Sequence, residues 1–332
     1  NTCDKINSGA GGTTFRFLTS FLALRTKSKV LLSGNERMNN RPIAPLVEAL
    51  NSIGAKIEYA DKIGFPPVYI KPVEYLKGKT ITMPAGISSQ FISSILLIAP
   101  YIKDGITIEL SGEIVSQRYI DMTLEVMKAF GAIYHKSGRK ITVAEKEYEL
   151  NDFFIEGDWS SVSYFASLSI ATKGKLKIRL HPLYSESTQA DKKILEIGKM
   201  FGLAYKFEKN TLILSYKKPS DISNPAKVDF INCPDIAQTV MVIAAISGTP
   251  LLIKGLNTLF IKETNRVNAM KKELSKVGIN LSRTHRIHNS RKDYYLLEGK
   301  IESSNDPVKF KTYEDHRMAM SLSAIAAVRP IQ

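Results

Sequence analysis

The chain has 332 residues, 44% of them hydrophobic and 23% charged, with a formal net charge of +14. That mix belongs to a soluble globular protein long enough for two domains at about 150 residues each, and no apolar run approaches the roughly 18 residues that cross a bilayer. Cys3 and Cys233 stand in unrelated contexts, which argues against a disulfide framework and for a reducing compartment.

In chain order, GGTTFRFLTSFLAL predicts a helix from near Thr13 that is apolar almost all round and therefore buried. A strand, KVLLSG, follows. IAPLVEALNSIG then places Ile43, Leu46, Leu50 and Ile53 at helical spacing and stops at Gly54. The same succession returns. ISSQFISSILLIAP starts a buried helix near Ser88, GITIELSG is a strand, and YIDMTLEVMKAFG carries Ile120, Leu124, Met127 and Phe130 before Gly131. WSSVSYFASLSIA starts near Ser160, with KLKIRL, then KKILEIGKMFG (Ile194, Ile197, Phe201, then Gly202) and TLILSY. PDIAQTVMVIAAIS starts near Asp235, with PLLIKG and VNAMKKELSKVG (Val267, Met270, Leu274, Val277, then Gly278). DHRMAMSLSAIAA opens a last buried helix near Asp315.

The glycines that close the amphipathic helices recur every 71 to 77 residues, longer than the ~20–50 residues of solenoid repeats. The unit reads strand, buried helix, strand, amphipathic helix, two strands. The first unit is expected to lack its opening strand and the last to stop after its buried helix, so the chain, which begins at Asn1, reads as cut at both ends; a removed targeting peptide is left open.

The positive balance admits two uses, nucleic-acid binding or the focusing of small anions into a cleft. The charges are scattered and many sit beside acids. The one cluster, Arg283, His285, Arg286, His288, Arg291 and Lys292, reads as a solvated loop, and no nucleic-acid motif is present.

Helix N-termini carry free N–H groups and partial positive charge, so buried helices opening on polar residues can build an anion site without a metal. Arg37, Arg41, Arg266 and Arg317 lie near such places, and guanidinium forks suit carboxylate and phosphate. Taken singly, each reads first as a surface ion pair; it is the motif contexts that favour ligand binding for the four together. Asp235 reads as a helix cap or a base. Glu263 reads as a first-turn acid or a proton donor. Asp315 reads as a cap that orients His316.

SSQF (88–91), YIDMTLEVM (119–127), EGDWSSVSYF (156–165), PDIAQT (234–239), KETNR (262–266) and YEDHRMAM (313–320) resemble, in order and spacing, the motifs of the EPSP synthase family of enolpyruvyl transferases. GAGGTTFRFLT resembles its glycine-rich NAGT-x-x-R segment, and GNERMNNRPIAPLVEAL its phosphoenolpyruvate-binding arginine segment. The departures are Phe17 for Pro, Gln117-Arg118 for Lys-Pro, Trp159 for a small residue, Gln238 for Met and Asn265 for Asp. The family's first-unit motif, Lys-Ser followed closely by Arg, and its phosphoenolpyruvate-binding Lys near the C-terminus are not among these residues.

The resemblance implies an α/β, two-domain enolpyruvyl transferase fold of repeated βαβαββ units, an inside-out α/β barrel. It implies an N-terminal-type domain over 1–156, holding the second and third units with the first missing, and a C-terminal-type domain over 157–332, holding three units with the last incomplete. The activity implied is transfer of the enolpyruvyl group of phosphoenolpyruvate to the 5-hydroxyl of shikimate 3-phosphate, releasing phosphate. Ser88, Ser89, Gln90, Ser116, Tyr119, Asp235 and Lys262 would hold shikimate 3-phosphate. Gly12, Arg37, Gln90, Arg266 and Arg317 would hold phosphoenolpyruvate. Asp235 would be the base and Glu263 the proton donor, with Arg41, Asp315 and His316 in support. No cofactor or metal is expected, no nucleic-acid or membrane partner, and a cytoplasmic monomer is. Glyphosate is expected to compete with phosphoenolpyruvate. The alternatives are the sister transferase acting on UDP-N-acetylglucosamine and a non-catalytic relative that binds anions or nucleic acid.

Overall fold

The computed structural model describes residues 3–219, 225–284 and 294–332. The chain divides into two compact units, Asn1–Phe153 and Phe154–Gln332, each with its own hydrophobic core.

The first unit runs β1 (Asp4–Asn7), α1 (Gly12–Arg25), β2 (Val30–Ser33), α2 (Glu36–Asn39), α3 (Ala44–Ser52), β3 (Lys56–Tyr59) and β4 (Val68–Lys71). It then repeats as β5 (Thr80–Pro84), α4 (Ser89–Ile98), β6 (Ile106–Ser111), α5 (Gln117–Ala129), β7 (Tyr134–Ser137) and β8 (Lys140–Val143). Each repeat makes one four-stranded sheet, ordered β1-β2-β4-β3 and β5-β6-β8-β7. The first two strands of each are parallel, which requires a crossover, and the buried helix supplies it. The last two form an antiparallel hairpin.

The second unit runs α6 (Trp159–Ala171), β9 (Ile178–Leu180), α7 (Ile194–Lys199), β10 (Leu203–Glu208) and β11 (Thr211–Tyr216). It repeats as β12 (Ala226–Asp229), α8 (Ala237–Ser247), β13 (Leu251–Lys254), α9 (Arg266–Ser275), β14 (Asn280–Thr284) and β15 (Tyr294–Glu298), and closes with α10 (His316–Ser323). The sheet β12-β13-β15-β14 repeats the order seen in the first unit.

The expectation that the first repeat lacks its opening strand is corrected: β1 pairs in parallel with β2, Asp4 opposite Val30 through Asn7 opposite Ser33. Its sequence, DKIN, is short and largely exposed, so alternation does not reveal it. The described strand missing from the pattern belongs instead to the third repeat, whose antiparallel sheet is β10-β11-β9. After α10 the chain returns as a parallel bridge, Val308 with Ile331, rather than stopping at the helix. Of the basic cluster, Arg283 lies on β14; His285, Arg286, His288, Arg291 and Lys292 fall outside the described residues.

Gly54, Gly131, Gly202 and Gly278 follow the amphipathic helices at φ of 104°, 84°, 94° and 81°. That left-handed backbone reverses the chain into the hairpin strands at little cost only in glycine.

The buried helices pack through hydroxyl groups. In the first unit Ser20 of α1 bonds Ser94 of α4, Ser94 Oγ donates to the Arg16 carbonyl at 2.7 Å, and Ser93 meets Thr123 of α5 at 2.7 Å. In the second unit Ser163 of α6 donates to Thr239 of α8 at 3.1 Å, and Thr239 meets Ser321 of α10 at 3.0 Å. Small side chains let the helices approach, and each buried hydroxyl named here finds a partner.

Candidate functional site

In the second unit the polar residues converge at the starts of α8, α9 and α10. Arg266 is the first residue of α9 and is 1% exposed. Its Nε donates to Asp315 Oδ2 at 2.8 Å, its Nη2 to Glu263 Oε2 at 2.7 Å and its Nη1 to Asp235 Oδ1 at 3.3 Å. A guanidinium offers five donors in a rigid plane, and here four hydrogen bonds run from it to three carboxylates. Lys262 Nζ stands 3.5 Å from Asp235 Oδ1, and Arg317 Nη2 stands 3.2 Å from Asp235 Oδ2.

Asp235 lies inside a 3-10 turn, Pro234–Ile236, ahead of α8, and the N-cap positions of the turn and of α8 are held by Cys233 and Ile236 instead. The cap reading of Asp235 therefore gives way to an ion-cluster reading. Burial opposes the charge on its carboxyl, but Lys262, Arg317 and Arg266 outweigh it and hold Asp235 well below the usual carboxylate range. Asp315 does cap its helix: Oδ1 accepts from Arg317 N at 2.9 Å. It does not orient His316. Asp315 is 1% exposed and bonds Arg266 and the Arg317 backbone, whereas His316 is exposed. Tyr164 of α6 also faces this cluster; burial raises its phenol while Arg317 and Arg266 pull it down, and burial wins. Sequence reasoning missed Tyr164, which reads there as one more apolar residue of a buried helix.

In the first unit Ser88 caps α4, accepting from Gln90 N at 3.3 Å, and Ser89 is buried. Gln90 Nε2 donates to Thr13 of α1 at 2.8 Å, and its Oε1 accepts from Arg16. Arg16, 6% exposed, lies 5.0 Å from the centre of the Phe91 ring. Arg16 is a second residue that sequence reasoning did not single out; the NAGT-x-x-R pattern ends on it. Ser116 precedes α5 at φ 56°, a left-handed conformation that costs a non-glycine residue of order 1–3 kcal/mol. Tyr119 follows one turn later, its N–H donating to the Ser116 carbonyl at 3.1 Å.

Gly12 opens α1. A Cβ there would overlap Arg41 Nη1 and lie 2.9 Å from Arg41 Cζ. Arg41, 8% exposed, is thus the guanidinium that fills the space over Gly12, while Arg37 sits on the short helix α2. The glycine-rich start and the arginine segment meet, as the resemblance implies, and the arginine nearest the glycine is the second of the pair.

Among the described residues no group of three or more His, Cys, Asp or Glu is placed to hold a metal ion. No described helix is long and apolar enough to cross a membrane. Cys3 and Cys233 are free; Cys233 is buried, which pushes its thiol up to about 12.

The profile of the EPSP synthase (3-phosphoshikimate 1-carboxyvinyltransferase) family matches residues 1–331. The chain is 38% identical over 323 residues to a 3-phosphoshikimate 1-carboxyvinyltransferase of Bacteroides fragilis, covering 97% of this chain and 76% of that protein. It is 32% identical to the protein of that name from Haemophilus ducreyi, over 96% of this chain and 71% of the relative. Among solved structures it is similar to the EPSP synthase of Acinetobacter baumannii, with a TM-score of 0.72 at 22% identity, over 98% of this chain and 73% of that one.

Proposed function

This chain belongs to the EPSP synthase family, and from that premise we propose how its residues divide the work of joining phosphoenolpyruvate to shikimate 3-phosphate. The reaction transfers the enolpyruvyl group to the 5-hydroxyl of shikimate 3-phosphate and releases phosphate. Both substrates are small anions, so their binding is first a matter of cations and N–H groups.

The observation that carries the assignment is the ion cluster: Asp235 and Glu263 share the Arg266 guanidinium at 3.3 and 2.7 Å. A hydroxyl needs an acceptor for its proton and a vinyl carbon needs a donor, and two carboxyls in unlike settings can take opposite parts. Asp235 is the acceptor. With Lys262, Arg266 and Arg317 on it, its carboxylate is ionised but weakly basic. Anionic substrates compete for the same cations. As phosphoenolpyruvate draws Arg317 and Arg266, and the shikimate phosphate draws Lys262, Asp235 loses counterions and regains basicity. Substrate binding itself thereby readies the base. Phosphoenolpyruvate takes the place of Glu263 on Arg266, and Glu263, then protonated from solvent, gives its proton to the methylene carbon. The 5-hydroxyl oxygen bonds to the adjacent carbon as its proton passes to Asp235. In the elimination a methyl proton returns to the Glu263 carboxylate, the carbon–oxygen bond to phosphate breaks with Asp235 giving its proton to the leaving phosphate, and the double bond re-forms. By the family resemblance Ser88, Ser89, Gln90, Ser116 and Tyr119 bind shikimate 3-phosphate, and Gly12, Arg37 and Gln90 contribute to phosphoenolpyruvate, with Arg41 in support.

We assign the unit Asn1–Phe153 as the N-terminal-type domain and Phe154–Gln332 as the C-terminal-type domain. We read the protein as a cytoplasmic monomer, which sedimentation at several concentrations and cell fractionation check. The test of function is phosphate release from phosphoenolpyruvate with and without shikimate 3-phosphate. Release that depends on shikimate 3-phosphate is expected. Release that depends instead on UDP-N-acetylglucosamine, or none with either acceptor, refutes the assignment.

A further inference from the structure

Glu273 is a charged side chain at 0% exposure that no step above uses. It lies on α9 seven residues after Arg266, close to two turns at about 3.6 residues per turn, so both point to one side of the helix. Both grip the same stretch of chain. Glu273 Oε2 accepts from Lys311 N at 2.9 Å, and Oε1 accepts from the Tyr313 hydroxyl at 2.7 Å; Lys276 Nζ neutralises it. Arg266 takes Asp315, two residues further on. Between the two grips, Tyr313 and Glu314 have φ of 56° and 51°. Consecutive left-handed conformations in two non-glycine residues do not persist unless the surroundings impose them. The turn they make delivers Asp315 to Arg266 and starts α10 so that Arg317 reaches Asp235.

We propose that Glu273 and Tyr313 form a clamp that sets this left-handed turn, making Glu273 a positioning residue for Asp315 and Arg317 in the reaction assigned above, a proposal that rests on that assignment only for its kinetic readout. Burial pushes the Tyr313 phenol up to about 12, with Glu273 adding to the rise, so the hydroxyl stays a donor through neutral pH. The clamp acts through hydrogen bonds rather than through net charge. A glutamine at 273 accepts from Lys311 N with its oxygen and donates from its amide to the Tyr313 oxygen, so it preserves both contacts.

The experiment compares wild type, Glu273→Gln, Tyr313→Phe, and Tyr313→Phe combined with Glu314→Gly, all in the full chain. Turnover, thermal midpoint and amide exchange of residues 311–318 are measured for each. Tyr313→Phe keeps the ring and its packing, and it is expected to lower kcat by about 10-fold or more, because small misplacements of a site are costly. Exchange across 311–318 is expected to quicken. Glycine at 314 adopts the left-handed conformation unaided, so the double variant is expected to recover most of the lost turnover and protection. Glu273→Gln is expected to stay within about threefold of wild type, since it keeps both contacts. Tyr313→Phe with wild-type kcat and exchange overturns the clamp, as does a loss that glycine does not restore. If wild type itself shows no turnover, the functional assignment fails while the exchange series still decides the clamp.

Discussion

At Asp235 the balance between burial and neighbouring charge is decided by three cations, Lys262, Arg266 and Arg317. Asp235→Asn keeps the shape but removes the proposed proton acceptor, so kcat should fall about 100-fold or more with shikimate 3-phosphate binding largely retained; turnover within a few-fold of wild type would leave Asp235 only a counterion. The same residue has a pH signature. Its folded pKa is depressed, so the stability it contributes is fully present above the unfolded carboxylate value of about 4 and is lost as pH falls from there toward the folded value. The thermal midpoint of wild type should therefore drop more steeply below that pH than that of Asp235→Asn. Gly12 makes the second residue-level case. Its missing Cβ leaves room for the Arg41 guanidinium, and a methyl there pushes the flexible end of Arg41 toward whatever lies beyond. Glyphosate is longer than phosphoenolpyruvate, so Gly12→Ala should raise its inhibition constant more than it raises the phosphoenolpyruvate KM. Equal responses in an inhibition series at several phosphoenolpyruvate concentrations would show that Arg41 does not transmit the change.

Among the elements, the ones legible in the sequence are those with a long periodic signal. The five helices expected to be buried start within a few residues of Thr13, Ser88, Ser160, Asp235 and Asp315, and the amphipathic helices end two or three residues before the glycines that predict their ends. The last of the five departs from expectation: α10 buries Met318, Ser321 and Leu322 but exposes His316 and Met320, because only one of its faces meets the core. Short exposed strands are not legible: β1 has four residues and no buried face. Nor can a repeat reveal where it breaks, which is why the third repeat's sheet differs from expectation. Candidate site residues are nameable from motifs, but their partners are not. Nothing in KETNR says that its arginine faces inward to three acids, and Glu273 reads as one more charge on an amphipathic helix. Gln238 shows what sequence comparison sees without its cause. It stands on α8 where methionine is common, is 0% exposed, and neither amide atom has a hydrogen-bond partner. Gln238→Met removes two unsatisfied polar atoms at nearly constant volume, so it should stabilise the fold by about 1–3 kcal/mol. A calorimetric midpoint that does not rise would mean that an internal water serves the amide.

For the whole molecule, separate cores around Phe15–Val143 and Trp159–Ile325 predict separable unfolding. The chain has one tryptophan, Trp159, and it is buried in the second unit with its indole N–H on Glu156 at 3.2 Å. Tryptophan fluorescence therefore reports that unit alone, while far-ultraviolet dichroism reports both. The two probes should give different denaturant midpoints, and coincident curves would show that the units unfold together. The net charge of +14 has less bearing on the site than its size suggests. Within the ion cluster Lys262, Arg266 and Arg317 are matched by Asp235, Glu263 and Asp315. On the proposed assignment the cluster would work as an ion exchanger rather than as a positive well: an arriving phosphate or carboxylate would replace a resident carboxylate on a guanidinium. Exchange releases few counterions from solution, so substrate affinity should vary only gently with added salt, whereas the overall positive field, which screening weakens, should govern how fast substrates arrive.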